Sequence, residues 1–311
     1  MIVSGVHADL RELVALRARA RELAQAGQRR SENRMSGGQS SPFRGRGMEY
    51  AESRPYAAGD DVRHIDWRVT ARTGRTHTKL FQPERERVTA LVYDAAPAMA
   101  FGTRACFKSV QAARIGSLLT WLALSEGDRL AAGECGGRGE VIQPLGGRRG
   151  ALRVLDGLVR WQPESGVALP SSSPGVPLAT TLDALYRVLR PGSHILLLLD
   201  ARSVDAAGER SLARLRAHHD LAACVLVDPI ETTAPRPQRY RVSDGRDRGT
   251  LLLDAQPQRD RWREHFDAQH RDALDRLRRA GARARLVATD EDPVDALRQL
   301  LRGAPTREAA A

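Results

Sequence analysis

Residues 88–102, VTALVYDAAPAMAFG, limit what this chain can fold into more than any other stretch. An apolar run ends in Asp94, the small residues Ala95, Ala96, Pro97 and Ala98 follow, and an amphipathic segment runs over 107–125. A strand this apolar needs cover on both faces, which places it centrally in a parallel sheet. A carboxylate at the end of such a strand, followed by a small-residue loop and a helix, is how open α/β sheets build ligand sites at their carboxyl edge. Asp is also a common turn and cap residue, so this stretch alone leaves the role of Asp94 open between the two.

From Val88 onward the pattern alternates. Strands are expected at 88–94, 129–135, 140–144, 195–200, 221–228 and 283–288, with a hairpin at 240–254. Helices are expected at 107–125, 150–161, 178–190, 204–218, 258–280 and 293–302. This order predicts a mostly parallel sheet wrapped by helices on both faces. Ahead of it, 8–28 reads as a helix with Leu10, Leu13, Val14 and Leu16 near helical spacing, and 29–47 as a Gly/Ser/Arg-rich linker. Residues 164–177 read as a Pro/Ser/Gly loop. The expected division is 1–87 for the N-terminal helix, linker and a polar segment, 88–305 for the α/β domain, and 306–311 for a tail.

With 311 residues, 41% of them apolar, the chain can bury a sizeable core; at 5% aromatic, that core must rest on Leu, Val and Ala. The formal net charge is +11, from 49 Lys+Arg, nearly all arginine, against 38 acids. Such a surplus points toward an anionic partner: nucleic acid, an acidic protein face or a lipid headgroup. Yet the arginines are spread along the chain, many at helical spacing from Asp or Glu, which is the pattern of solvated faces. Cys106, Cys135 and Cys224 are scattered, which argues against a disulfide framework or a zinc site and fits a reducing compartment. No apolar stretch approaches the roughly 20 residues that span a bilayer, and the N-terminus lacks the pattern of a secretory signal. A cytoplasmic protein is expected, without membrane insertion.

Residues 48–87 are the densest in polar information. Gly59 ahead of Asp60 and Asp61 marks a turn. Val62, Ile65 and Val69 predict a short helix from about Asp61, broken at Thr73-Gly74, and 77–81 alternates like a strand. As an acid–base pair, Asp60 and Asp61 lack an accompanying nucleophile or metal-ligand spacing. The favoured reading is a fixed network in which Asp60, Asp61 and Asp66 meet Arg54, Arg63 and Arg72 around Trp67, as structural cement or as a docking surface. Elsewhere, Gly146-Gly147-Arg148-Arg149-Gly150 could hold a phosphate ahead of a helix. It satisfies neither phosphate-loop pattern, so a plain turn is favoured. The histidines have no metal spacing, and no GxSxG elbow is present. Asp94 and Asp200 both end apolar strands and, with Thr180 and Thr181, could present oxygens to one crevice, a set that suits Mg²⁺.

Tyr56-Ala-Ala-Gly59-Asp60-Asp61-Val-Arg63-His-Ile65-Asp66-Trp67, followed by Ala71-Arg72, resembles the signature of the bacterial family catalogued as domain of unknown function 58. That signature usually reads Y-x-P-G-D-D-x-R-x-I-D-W-x-x-x-A-R; Ala58 stands where proline is usual. The resemblance implies an α/β, von Willebrand factor A-like, doubly wound sheet with an N-terminal helix and a small β-containing signature segment. Such domains often carry a metal-ion-dependent adhesion site, D-x-S-x-S, completed by a Thr and an Asp from later loops. Here Asp94 matches, but Ala96 and Ala98 replace both serines and supply no oxygen. Asp94, Thr181 and Asp200 remain as candidate ligands, so no cofactor is expected and Mg²⁺ binding should be weak or absent.

The resemblance also implies a partner. Such proteins are often encoded beside AAA+ ATPases of the MoxR type and are thought to act with them as adaptors in chaperone-like remodelling. The expected function is therefore a non-enzymatic interaction module that binds a MoxR-like ATPase, client proteins or both. Its signature residues are Arg54, Tyr56, Gly59, Asp60, Asp61, Arg63, Asp66, Trp67 and Arg72. The alternative is an Arg-rich nucleic-acid-binding protein, because residues 28–87 hold thirteen Lys/Arg against eight acids. A hydrolase using Asp60, Asp61 or Asp66 is the third reading.

Overall fold

The computed structural model describes residues 4–25, 49–57, 60–82, 87–163, 175–243 and 248–302. The linker expected at 29–47, most of the loop at 164–177, the hairpin tip, the C-terminal tail, and Ala58 and Gly59 lie outside the described residues. The chain divides into two compact units: residues 39–86, and residues 1–38 together with 87–311.

The chain opens with α1 (Leu10–Ala15), capped by Asp9, whose side chain accepts from Glu12 N at 2.8 Å. The chain is helical again over 17–25, labelled α2. This start falls in the larger unit. Leu13 is fully buried, and its carbonyl accepts from Ser117 Oγ at 2.7 Å and Trp121 Nε1 at 3.0 Å. Glu12 pairs with Arg114 at 2.6 Å. Leu10 and Val14 stay exposed, so the buried stripe is Leu13, Ala20 and Leu23 rather than the one expected.

The smaller unit is a hairpin of β1 (Glu49–Pro55) and β2 (His77–Gln82), antiparallel, with two short helical pieces between them. Where one helix from Asp61 was expected, a 3-10 turn, Val62–His64, comes first. Ile65 then bridges to Thr78, and α3 (Trp67–Thr73) follows. Asp66 explains the interruption: its carboxylate accepts from Arg68 N and Val69 N at 3.1 Å, restarting the helix as an N-cap. Gly74, at φ +70°, ends it.

The larger unit is built on six strands: β3 (Val88–Asp94), β4 (Arg129–Cys135), β5 (Val141–Leu145), β6 (His194–Asp200), β7 (Asp220–Val227) and β10 (Arg283–Ala288). A separate hairpin pairs β8 (Arg239–Ser243) with β9 (Arg248–Leu252). The sheet order is β10-β7-β6-β3-β4-β5, parallel throughout except for β5 at one edge. β3 is interior and buried at every position, as its continuous apolar run requires. Its residues alternate between two cores. Leu91 and Tyr93 meet α4 (Lys108–Glu126), α5 (Gly147–Arg160) and α10 (Pro293–Arg302) on one face. Val88, Ala90 and Val92 meet α6 (Leu178–Tyr186), α7 (Ala206–Arg216) and α9 (Gln256–Arg279) on the other. This is the doubly wound arrangement expected.

Three local features were not expected. Helix α6 ends at Tyr186 rather than 190. A 3-10 turn, Ala201–Ser203, separates β6 from α7. After β7 comes a single turn, α8 (Pro229–Thr232), closed by a capping box between Asp228 and Glu231.

Candidate functional site

Strand order reverses at β3: the chain runs outward through β4 and β5, then crosses to β6, β7 and β10 on the other side. A crevice opens at the carboxyl ends of the strands beside such a point. Its volume is about 290 Å³, and it is lined by Ala96 and Pro97 after β3, Gly136 after β4, Pro177 before α6, and Arg202 and Ser203 after β6. Gly136 has φ +76°, and a Cβ there would meet Ala96 N at 2.6 Å and Asp94 Oδ1 at 2.8 Å. The turn after β4 can pass this close to Asp94 only because the position is glycine.

The structure brings Asp94 and Asp200 together, as their positions at two strand ends foretold. Asp94 is fully buried. Its Oδ1 accepts from Ala96 N at 2.9 Å; its Oδ2 accepts from Asp200 N at 2.9 Å and Ser203 Oγ at 2.5 Å. Burial pushes this carboxyl above its ordinary value, and the three donors pull part of that back. Thr181 is also buried, but its hydroxyl donates to Glu134 O at 2.8 Å, pinning α6 to β4.

Asp200 is held by cations of the chain itself. Lys108 Nζ, 2% exposed, lies 2.8 Å from Asp200 Oδ2 and 2.6 Å from Glu231 Oε1. Arg202 Nε and Arg202 N both donate to Asp200 Oδ1 at 3.0 Å. Burial alone would raise the Asp200 carboxyl; the Lys108 ammonium outweighs it, and the net direction is down. His270 Nε2 stands 3.9 Å from Glu231 Oε2, and burial lowers this imidazole despite that carboxylate.

A third strand-end carboxylate, Asp228, is also fully buried. It accepts from Thr103 N at 2.8 Å, from Thr103 Oγ1, from Thr289 Oγ1 at 3.0 Å and from Ile230 N at 3.1 Å.

These residues do not fit a divalent cation. A metal needs carboxylate lone pairs free to coordinate it. Those of Asp94 face two backbone amides and a hydroxyl, and both oxygens of Asp200 are taken by Lys108 and Arg202. A second positive charge beside Lys108 would also be repelled. Among the described residues no group of three or more His, Cys, Asp or Glu is placed to hold a metal. Titrating the protein with Mg²⁺ should therefore leave Tm unchanged; a cation at a hundred times its Kd would add about 2.7 kcal/mol, a readily measured shift.

Sequence reasoning missed Lys108, Ser203, Asp228 and Glu231. One signal was available for Lys108: it is one of two lysines among 49 basic residues, placed at the start of an apolar helix. A compact ammonium can serve two carboxylates from one buried point, which a planar guanidinium does less readily.

The signature residues fall into two groups. Asp60 accepts from Arg54 at 2.6 Å and from Ala57 N at 2.9 Å, and these two bonds lower its carboxyl. Tyr56 OH donates to Asp60 O at 3.2 Å. Asp61 accepts from Arg63 NH2 at 2.7 Å and from Arg63 N at 2.9 Å, and Arg63 holds its pKa at about 2. Asp66, 7% exposed, caps α3 and accepts from Ser53 Oγ at 2.9 Å. Of the expected network, the Asp60–Arg54 and Asp61–Arg63 pairs form. Asp66 caps α3, Trp67 is 70% exposed, and among the described residues Arg72 makes no ion pair. The physical reason is the restart of the helix at Asp66, which turns Trp67 and Arg72 outward. Gly59 lies outside the described residues.

Fold and edge together define the class: a doubly wound α/β domain whose strand-end carboxylates are satisfied by its own donors, with a small antiparallel unit carrying the signature. The chain belongs to the family described as protein of unknown function DUF58, whose model matches residues 52–276. Uncharacterized proteins of Mycobacterium tuberculosis and Mycobacterium bovis are each 28% identical over 249 residues, 80% of this chain and 77% of theirs. Among solved structures, the conserved hypothetical protein BatB from Bacteroides thetaiotaomicron matches with TM-score 0.44 and 11% identity, over 70% of this chain and 97% of that one. A von Willebrand factor type A protein from Catenulispora acidiphila matches with TM-score 0.38 and 14% identity, over 72% of this chain and 43% of that one. No helix among the described residues is long and apolar enough to cross a membrane.

Proposed function

We propose that this protein is a non-enzymatic interaction module of the cytoplasm, working as an adaptor with an AAA+ ATPase of the MoxR type. One observation carries the non-enzymatic part: Asp94, Asp200 and Asp228, at the edge where α/β sheets do chemistry, are all bonded to donors within the chain. A carboxylate held in this way by donors of its own chain is not free to engage a substrate or a metal. The ATPase partner follows from the family resemblance of the signature. A pull-down from the native host should enrich such an ATPase; its absence from the eluate would remove this reading.

The arginine surplus supports a nucleic-acid reading less than the bare charge suggests. In the larger unit Arg114 pairs with Glu12, Arg160 with Glu140, Arg276 and Arg279 with Glu209, and Arg285 with Glu291. Cations neutralised this way are not displayed as one basic groove. Filter-binding titrations with duplex and single-stranded DNA should show no salt-sensitive binding; a steep fall in affinity with salt would reinstate nucleic acid as the partner.

A further inference from the structure

We propose that the outward face of α3 is the docking surface for an acidic segment of a partner protein. The helix has two distinct sides. At 100° per residue, Val69, Thr70 and Thr73 fall on one arc and Trp67, Ala71, Arg68 and Arg72 on the other. Val69 and Thr70 on the first arc are half-buried, and Thr70 Oγ1 accepts from His77 N at 3.0 Å; Thr73, at the last turn, is exposed, its Oγ1 donating to Val69 O at 2.9 Å. Trp67, Arg68, Ala71 and Arg72 are all exposed.

Two features make this face more than a solvated surface. Trp67 and Val62, at 70% and 63%, are the two most exposed large hydrophobic side chains among the described residues. Exposed tryptophan is costly to solvate, and Trp and Arg are the side chains that most often anchor interfaces.

The second feature is charge. Asp60, Asp61 and Asp66 are spent on Arg54, on Arg63 and on the cap of α3. Among the described residues Arg68, Arg72 and Arg75 have no acidic partner; all three are exposed, and Arg68 and Arg72 fall on the same helix arc as Trp67. A face that carries arginines beside an apolar anchor is complementary to an acidic chain carrying an apolar residue. Protein is favoured over single-stranded nucleic acid because the face offers one ring, with aliphatic Ala71 and Val62 near it in sequence, rather than successive stacking platforms.

The inference rests on the interaction-module reading but not on the identity of the ATPase. In the full-length protein, a photo-crosslinking phenylalanine analogue is placed at Ala71, with exposed Tyr186 on α6 as the control position, and irradiated in host cells. Adducts are identified by mass spectrometry and repeated in an Arg68→Glu/Arg72→Glu background. The purified partner is then titrated against wild type, Trp67→Ala and the double charge reversal.

The expected result is an adduct with an acidic protein at position 71 and not at 186, lost on charge reversal. Binding should be about tenfold weaker or worse in both variants. Tm should be unchanged, since all three side chains are exposed. An acidic partner other than the ATPase leaves this surface standing, and the pull-down then decides the ATPase separately. An adduct with nucleic acid, an adduct with a second copy of the chain, no adduct above the control, or binding indifferent to Trp67→Ala overturns the surface. A pull-down that still retains the ATPase would then leave the adaptor reading in place.

Discussion

Lys108→Met should lower the stability of the larger unit by about 3–5 kcal/mol, the usual cost of removing one partner from a buried ion pair. The ammonium bridges Asp200 and Glu231, and all three side chains are at least 94% buried. Without it the Glu231 carboxylate loses its ammonium partner in a buried site, and Asp200 keeps only Arg202 as a cation. Its position adds a smaller effect. Lys108 begins α4, where the helix dipole disfavours positive charge, so the two acids must outweigh that as well. Chemical denaturation would read the loss directly. The triple variant Lys108→Met/Asp200→Asn/Glu231→Gln should recover most of it, because a neutral, packed cluster has no stranded charge. A single variant as stable as wild type would mean that Asp200 is neutralised by something other than Lys108.

The second large effect is expected at Asp94. Asp94→Ala leaves Ala96 N, Asp200 N and Ser203 Oγ without their acceptor in a buried site, a loss of about 3 kcal/mol. The loss should be the same with and without Mg²⁺.

Its pH dependence should also run opposite to that of Asp200→Ala. The Asp94 carboxyl is raised above 3.8, so its linkage contribution is present in acid and lost as pH rises through the folded value. The Asp200 carboxyl is lowered below 3.8, so its contribution is present above that value and lost as pH falls through the folded one. As pH rises above 3.8 the gap between wild type and Asp94→Ala should narrow, whereas as pH falls below 3.8 the gap for Asp200→Ala should shrink. Parallel trends would mean that the two carboxylates share one environment, contrary to their hydrogen bonding.

Much of the fold was legible because its signals are local. The unbroken apolar run of β3 demanded cover on two faces, and the alternation after it demanded a wound sheet; the strand bounds expected for β3, β4 and β10 match those observed. The strand-end positions of Asp94 and Asp200 were enough to put both at one edge. The signature was less legible. Val62, Ile65 and Val69 have helical spacing, but spacing cannot show that Asp66 will restart the helix by capping it, and that restart is what turns Trp67 to solvent.

By itself the sequence determined the layering of this protein and its central strand, since each follows from residue type at neighbouring positions. Only the tertiary structure decided what fills the edge instead. Lys108 reaches Asp200 across 92 positions and Glu231 across 123, and Thr103 reaches Asp228 across 125. Periodicity is a property of one segment, whereas the partner of a buried charge is chosen by which segments the sheet brings side by side, and no local pattern records that choice.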